Sequence, residues 1–127
     1  MLVSFIIGRG IKELTGNSFE TNALLVTTKN STRTKLESAT KDGKLMTASI
    51  NKHLIGKSDF NLPDGHVYTI LSFDSTTDKV KLRNPWGHTE AQDSKGNVRD
   101  GRDDGIFELS IDEFYKAFTM VAYEKKK

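Results

Sequence analysis

Residues 65–87 read GHVYTILSFDSTTDKVKLRNPWG, and the fold turns on how this stretch is paired. Residues 66–73 are rich in β-branched and aromatic side chains. Residues 78–84 alternate charged and apolar ones. The polar run Asp74-Ser75-Thr76-Thr77-Asp78 between them is a turn, so the whole is a β-hairpin. Matching the apolar positions sets Ile70 against Val80, Tyr68 against Leu82 and His66 against Asn84, with all six side chains on one face. A slip by one residue would set them against Lys79, Lys81 and Arg83 instead.

In that register His66 and Asn84 are cross-strand neighbours at the open end of the ribbon, with Cβ atoms about 5 Å apart. The Asn84 amide oxygen can then accept a hydrogen bond from one imidazole nitrogen. Such a bond fixes the ring and its tautomer and leaves the other nitrogen as a base. This is the base and its orienter from a Cys-His-Asn triad. Trp86 falls on the same side as Asn84 and can shield the bond from water, which strengthens it. Pro85 stiffens the strand end and removes a backbone donor. Singly, each residue has a plainer use, since such His and Asn side chains often cap backbone groups and a Trp is usually core. The case rests on the combination.

The sulfur of such a triad is missing. The chain has 127 residues and no cysteine, which excludes disulfides, thiolate metal sites and a thiol nucleophile on it. With 35 % hydrophobic and 28 % charged residues it has an ordinary soluble profile. Its length fits one domain, with a core large enough to need no staples. The net charge is +2, and Lys125, Lys126 and Lys127 supply much of the basic balance, so charge does not indicate a nucleic-acid partner. The opening MLVSFII is far too short to span a bilayer and is a poor secretory signal. No membrane partner is expected, and a cytoplasmic setting is favoured.

The remaining chain reads as an α+β domain. A short helix is expected between Gly10 and Gly16, with Ile11 and Leu14 on one face. A second is expected near residues 31–41, capped by Ser31 or Thr32, with Leu36 and Ala39 inward and Asp42-Gly43 stopping it. KLMTASI is a strand, and residues 51–65 are loop. Residues 88–105 form a long polar loop. IFELS is a strand, and Ser110 with Glu113 has capping-box spacing ahead of a helix bearing Phe114 and Phe118 on one face. TMVAYE is the last strand. The expected architecture is an antiparallel sheet or open barrel of about five or six strands, with two or three short flanking helices. No His-x-x-x-His or Glu-x-x-His spacing joins His53 or His88 to a zinc site.

The segments DGHVYTI, VKLRNPWG and DDGIFELSIDEFYKAFT resemble the C-terminal half of the calpain-type cysteine protease core, of the papain superfamily. GKLMTASI and IKELTG resemble the segments ahead of it. The resemblance is strongest from Gly65 to Gly87. It implies one domain over residues 1–127, with residues 1–16 a remnant of the preceding subdomain. It implies that His66 is the general base and acid, Asn84 its orienter, and Trp86 and Gly65 their support. The family's nucleophilic Cys and oxyanion-hole Gln lie in the N-terminal subdomain, ahead of the point where this chain begins. Calpains also bind Ca²⁺ through acidic loops after the Asn-Pro-Trp strand. The loop here offers Asp93, Asp100, Asp103 and Asp104, hard oxygen ligands suited to that ion, and Asp93, Asp103 and Asp104 make the candidate site. However, the loop looks short, it lacks the family's second Trp, and Ile106 replaces a common acidic residue. A solvated acidic loop balanced by Lys95, Arg99 and Arg102 is therefore preferred.

Three functions remain open. The chain can be the His/Asn half of a peptidase, hydrolysing peptide bonds only when a Cys-bearing segment completes it. Leu2, Val3, Phe5, Ile6 and Ile7 would then mark part of the interface. It can instead be a non-catalytic module that binds peptides beside His66 and Trp86, or regulates an intact homologue. A plain α+β domain is the third reading, favoured if His66 and Asn84 lie far apart.

Overall fold

The computed structural model describes residues 11–51, 60–63 and 65–126. Residues 2–7, expected at an interface, lie outside the described residues, as does His53. The strands are β1 (Ser18–Ala23), β2 (Met46–Ser49), β3 (Val67–Asp74), β4 (Lys79–Arg83), β5 (Ile106–Ser110) and β6 (Met120–Lys125). The helices are α1 (Lys29–Lys41) and α2 (Ile111–Ala117), with a 3-10 turn at Leu24–Val26. All six strands join one sheet in the order β1-β6-β2-β3-β4-β5. Every pairing is antiparallel. The edge strands β1 and β5 do not pair, so the sheet is open, one of the two forms expected. Among the described residues no helix is long and apolar enough to cross a membrane.

One face of the sheet carries the main core. Leu36 and Ala39 of α1, with Phe114 and Ala117 of α2 and the adjoining Phe118, cover Tyr68, Ile70, Phe73, Val80, Leu82 and Leu109. Phe114 and Phe118 stack with centroids 4.8 Å apart. The other face carries a smaller cluster of Ile11, Met120 and Ala122. Strand β6 therefore buries alternate residues on opposite faces, which is why MVAY is an unbroken apolar run.

The hairpin forms, but in a different register. Thr69 pairs with Arg83 and Ile70 with Leu82, whereas Phe73 pairs with Val80. The expected Ile70–Val80 and Tyr68–Leu82 pairs are thus corrected. A bulge at Leu71 absorbs one extra residue of β3, between Ile70 and Ser72. Its cause is in the sequence: Tyr68 and Ile70 share one parity and Phe73 has the other. The bulge turns Leu71 outward and brings Phe73 in, so that all three large side chains are buried. At the open end the slip is by two residues, which leaves every side chain on its original face.

Three smaller expectations are also corrected. Helix α1 starts earlier and is capped by Thr28, whose hydroxyl accepts the Ser31 N–H at 3.0 Å. Thr32, one of the expected caps, is needed inside, where it is buried. Residues 11–15 are helical, but only Ile11 is buried and Leu14 is 80 % exposed. Leu14 sits roughly 60° round the helix from Ile11, and a single turn lays one side chain, not two, on the sheet. Strand β1 was not expected. It is an edge strand of mixed polarity, held by its ladder to β6. The capping box at Ser110 and Glu113 forms with both of its bonds.

The aromatic stack carries much of the main core, so Phe114→Ala should destabilise the fold by about 3–5 kcal/mol. Urea denaturation monitored by far-UV circular dichroism measures this, and a loss below 1 kcal/mol would contradict the assigned packing.

Candidate active site

His66 directly precedes β3, and Asn84 directly follows β4. Continuing the Thr69–Arg83 pairing places Tyr68 level with Asn84 and His66 one diagonal step further out. Diagonal side chains are about 7–8 Å apart at the backbone and within reach of an aromatic ring. The imidazole closes that gap: His66 Nε2 lies 2.7 Å from Asn84 Oδ1. The expected contact forms, although the two residues are not directly opposed.

Packing and backbone bonds hold both partners. The edge of Tyr68 meets the His66 ring at 4.9 Å between centroids. Trp86 lies over that ring at 4.2 Å, tilted by 39°. Gly65 has φ +68, and its N–H donates to the Ile50 carbonyl at 2.9 Å, which anchors the chain just before His66. Asn84 has no solvent exposure. Its backbone N–H donates to the Gly105 carbonyl at 2.7 Å, and its own carbonyl accepts the Gly87 N–H at 2.9 Å. Its Oδ1 also accepts the Trp86 N–H at 3.1 Å, and its Nδ2 donates to the Thr89 carbonyl at 3.0 Å.

These bonds determine the protonation pattern. A backbone N–H must meet an oxygen and a backbone carbonyl must meet an N–H, so the carboxamide can point only one way. Its oxygen faces His66, and Nε2 must be the donor. Neutral His66 then carries its proton on Nε2 and a lone pair on Nδ1. His66 is half-buried. Trp86 is 53 % exposed, so it walls one side of the ring but is not core.

The model of the calpain family cysteine proteases matches residues 2–96. The chain belongs to the calpain family. No curated protein matches it. The matched range includes the His66–Asn84 hairpin and the first part of the acidic loop.

The calpain-type acidic loop does not gather the expected carboxylates. Asp93 accepts the Lys95 and Asn97 N–H groups of its own turn, and these backbone bonds hold it below the usual carboxylate range. Asp103 accepts the Thr89 N–H at 2.9 Å. The acidic groups that converge are Glu90, Asp100 and Asp104, each with a carboxylate oxygen within 4.8 Å of the others. Of the candidate set Asp93, Asp103 and Asp104, the structure brings only Asp104 into this group, with Glu90 and Asp100. Nothing in the sequence marked Glu90, one acid among many polar loop residues. Yet it is 1 % exposed. Its Oε2 accepts the Asp104 and Gly105 N–H groups at 2.6 and 2.9 Å, while Oε1 has no partner among the described residues. Burial pushes its pKa up to about 7, aided by the nearby Asp100 charge and opposed by the two backbone bonds.

A buried carboxylate with an orphaned oxygen, facing two further carboxylates, fits a hard divalent cation. Glu90, Asp100 and Asp104 would hold calcium here, where it would supply charge neutralisation. Gly105 ties this cluster to Asn84, since its N–H serves Glu90 and its carbonyl serves Asn84. A Cβ at Gly105 would lie 2.9 Å from Gly87, so the two loops meet with no room for a side chain. His88 is exposed, with Nδ1 2.7 Å from Thr89 Oγ1 and its ring 6.0 Å from that of Trp86.

The raised pKa of Glu90 has a definite sign in stability. Between its ordinary value of 4.5 and about 7, the folded chain keeps a proton that the unfolded chain has released. Stability should therefore fall as pH rises through that window without calcium. Added Ca²⁺ should offset the fall, and Glu90→Gln should flatten both responses. Urea midpoints at pH 5 and pH 8, with and without Ca²⁺, measure this. A pH-independent midpoint that also ignores calcium would refute it.

Proposed function

We propose that this chain is the His/Asn half of a calpain-like cysteine peptidase. It hydrolyses peptide bonds only when a Cys-bearing segment completes the triad, and is inactive alone. The observation that carries the reading is the 2.7 Å contact between His66 Nε2 and the buried Asn84 Oδ1. It leaves Nδ1 as the nitrogen that carries the lone pair.

In this reading the thiol is delivered to Nδ1, which takes its proton and leaves a thiolate paired with imidazolium. The thiolate attacks the scissile carbonyl. His66 then returns the proton to the leaving amine, and in the second half-reaction activates the water that releases the acyl group. Asn84 stays neutral throughout and keeps the ring in place. Oxyanion stabilisation comes from the completing segment, as the family resemblance implies. The partner is thus a Cys-bearing N-terminal protease half, and the substrate a peptide or protein.

A second reading, a peptide-binding or regulatory module, is favoured by one observation. Trp86 exposes 53 % of its surface beside a half-buried imidazole, a surface able to bind a partner without chemistry.

Mixing the chain with a Cys-bearing calpain N-terminal half, and assaying a fluorogenic peptide, separates the two. Thiol-dependent hydrolysis is expected only in the mixture. His66→Ala should abolish it, and Asn84→Ala should lower kcat by roughly 10²–10⁴-fold. Peptide binding that survives His66→Ala, with no hydrolysis in any mixture, would establish the binding module instead.

A further inference from the structure

The Asn84 carboxamide is aimed by two groups, and one of them is itself held in an uncommon conformation. Thr89, whose carbonyl accepts from Asn84 Nδ2, has φ +66. A β-branched residue with such a backbone is a genuine outlier and persists only where its surroundings impose it. The imposing contact is Asp103 Oδ1, which accepts the Thr89 N–H at 2.9 Å from across the acidic loop.

We propose that Asp103 is a positioning residue for the His66–Asn84 pair, acting through Thr89. By holding Thr89 left-handed, it presents the carbonyl that Asn84 Nδ2 needs. Its contact is with the Thr89 backbone and not with the imidazole.

The consequence is chemical. If Thr89 relaxes to a right-handed or extended backbone, its carbonyl leaves Nδ2. One of the two constraints on the carboxamide is then lost, and only the Trp86 N–H still selects for oxygen toward His66. A flipped carboxamide turns an N–H toward Nε2. Nε2 must then be the acceptor, and the neutral ring moves its proton to Nδ1. That nitrogen is the one required to hold a lone pair, so the flip disables the base without displacing it. No atom is transferred between residues. The ring exchanges one tautomer for the other through solvent.

The inference rests on the proposed role of His66 for its importance in catalysis, but its test does not. Two-bond ¹H–¹⁵N correlation spectra of the full chain, at a pH where His66 is neutral, report its tautomer directly. The wild-type chain should show a single Nε2–H form. Asp103→Ala should draw the Nδ1 and Nε2 shifts toward each other as the second tautomer appears. Asp103→Asn keeps an accepting oxygen and should restore the wild-type spectrum. Thr89→Gly placed on Asp103→Ala should also restore it, because glycine adopts positive φ without support.

An unchanged His66 spectrum in Asp103→Ala overturns the proposal. So does an Asp103→Asn chain, or a folded Thr89→Gly/Asp103→Ala chain, that keeps mixed tautomers. These two variants decide the matter if Asp103→Ala alone does not fold. Should the completed peptidase show no hydrolysis while the tautomer shifts as described, the positioning role stands and the proposed activity falls.

Discussion

The site depends on a carboxamide that has no access to water. A buried amide without partners costs about 1–3 kcal/mol per unmet group, and Asn84 buries its side-chain amide and its backbone together. It is tolerable there because each of these polar groups finds a partner. The backbone is served by Gly105 and Gly87, and the side chain by Trp86, Thr89 and His66. Four of the five partners are backbone groups, whose polarity does not depend on the side chain they carry. The direction of the amide, and through it the tautomer of His66, is therefore written into the path of the chain after β4.

That path is expensive to specify. The turn after Asn84 must bring Gly87 and Gly105 nearly into contact, a junction that admits no Cβ. The same Gly105 bridges the Asn84 backbone and the acidic cluster: its carbonyl accepts the Asn84 N–H and its own N–H donates to Glu90. A charge buried at Glu90 opposes the folded loop unless it is protonated or balanced by a cation. A cation held at Glu90 would thus be linked to the placement of Asn84 through the backbone of Gly105.

Much of this was legible in the sequence, and the failures have physical causes. The hairpin, the shared face of His66, Asn84 and Trp86, and the capping box at Ser110 follow from local periodicity and spacing. Register was misread because alternation was assumed to run unbroken through Leu71. The three-residue step from Ile70 to Phe73 was the available signal of a bulge. The face assignment survived because the slip at the open end is an even number of residues. Strand β1 left no periodic signature because an edge strand draws on its neighbour's ladder more than on its own side chains. The acidic loop was the least legible. Backbone N–H groups bind the converging carboxylates and the others alike, so convergence follows the path of the loop, and Glu90 stands apart from Asp93 and Asp103 by its burial. Burial of Glu90 is a tertiary property with no local correlate.

Under the proposed function, the order of these constraints bears on what a completing segment would supply. His66 and Asn84 come from the two arms of one hairpin, and every group that orients them lies between Ile50 and Gly105. The tautomer and ring plane are set by this chain's own residues. A thiol brought to Nδ1 would meet a base already aimed, so its docking need not reorganise the pair, and the binding energy of the interface is left for positioning the thiol. The half-exposed Trp86 fits this division. It packs on the His66 ring and still leaves 53 % of its surface exposed, so it can hold the ring and meet a partner at once.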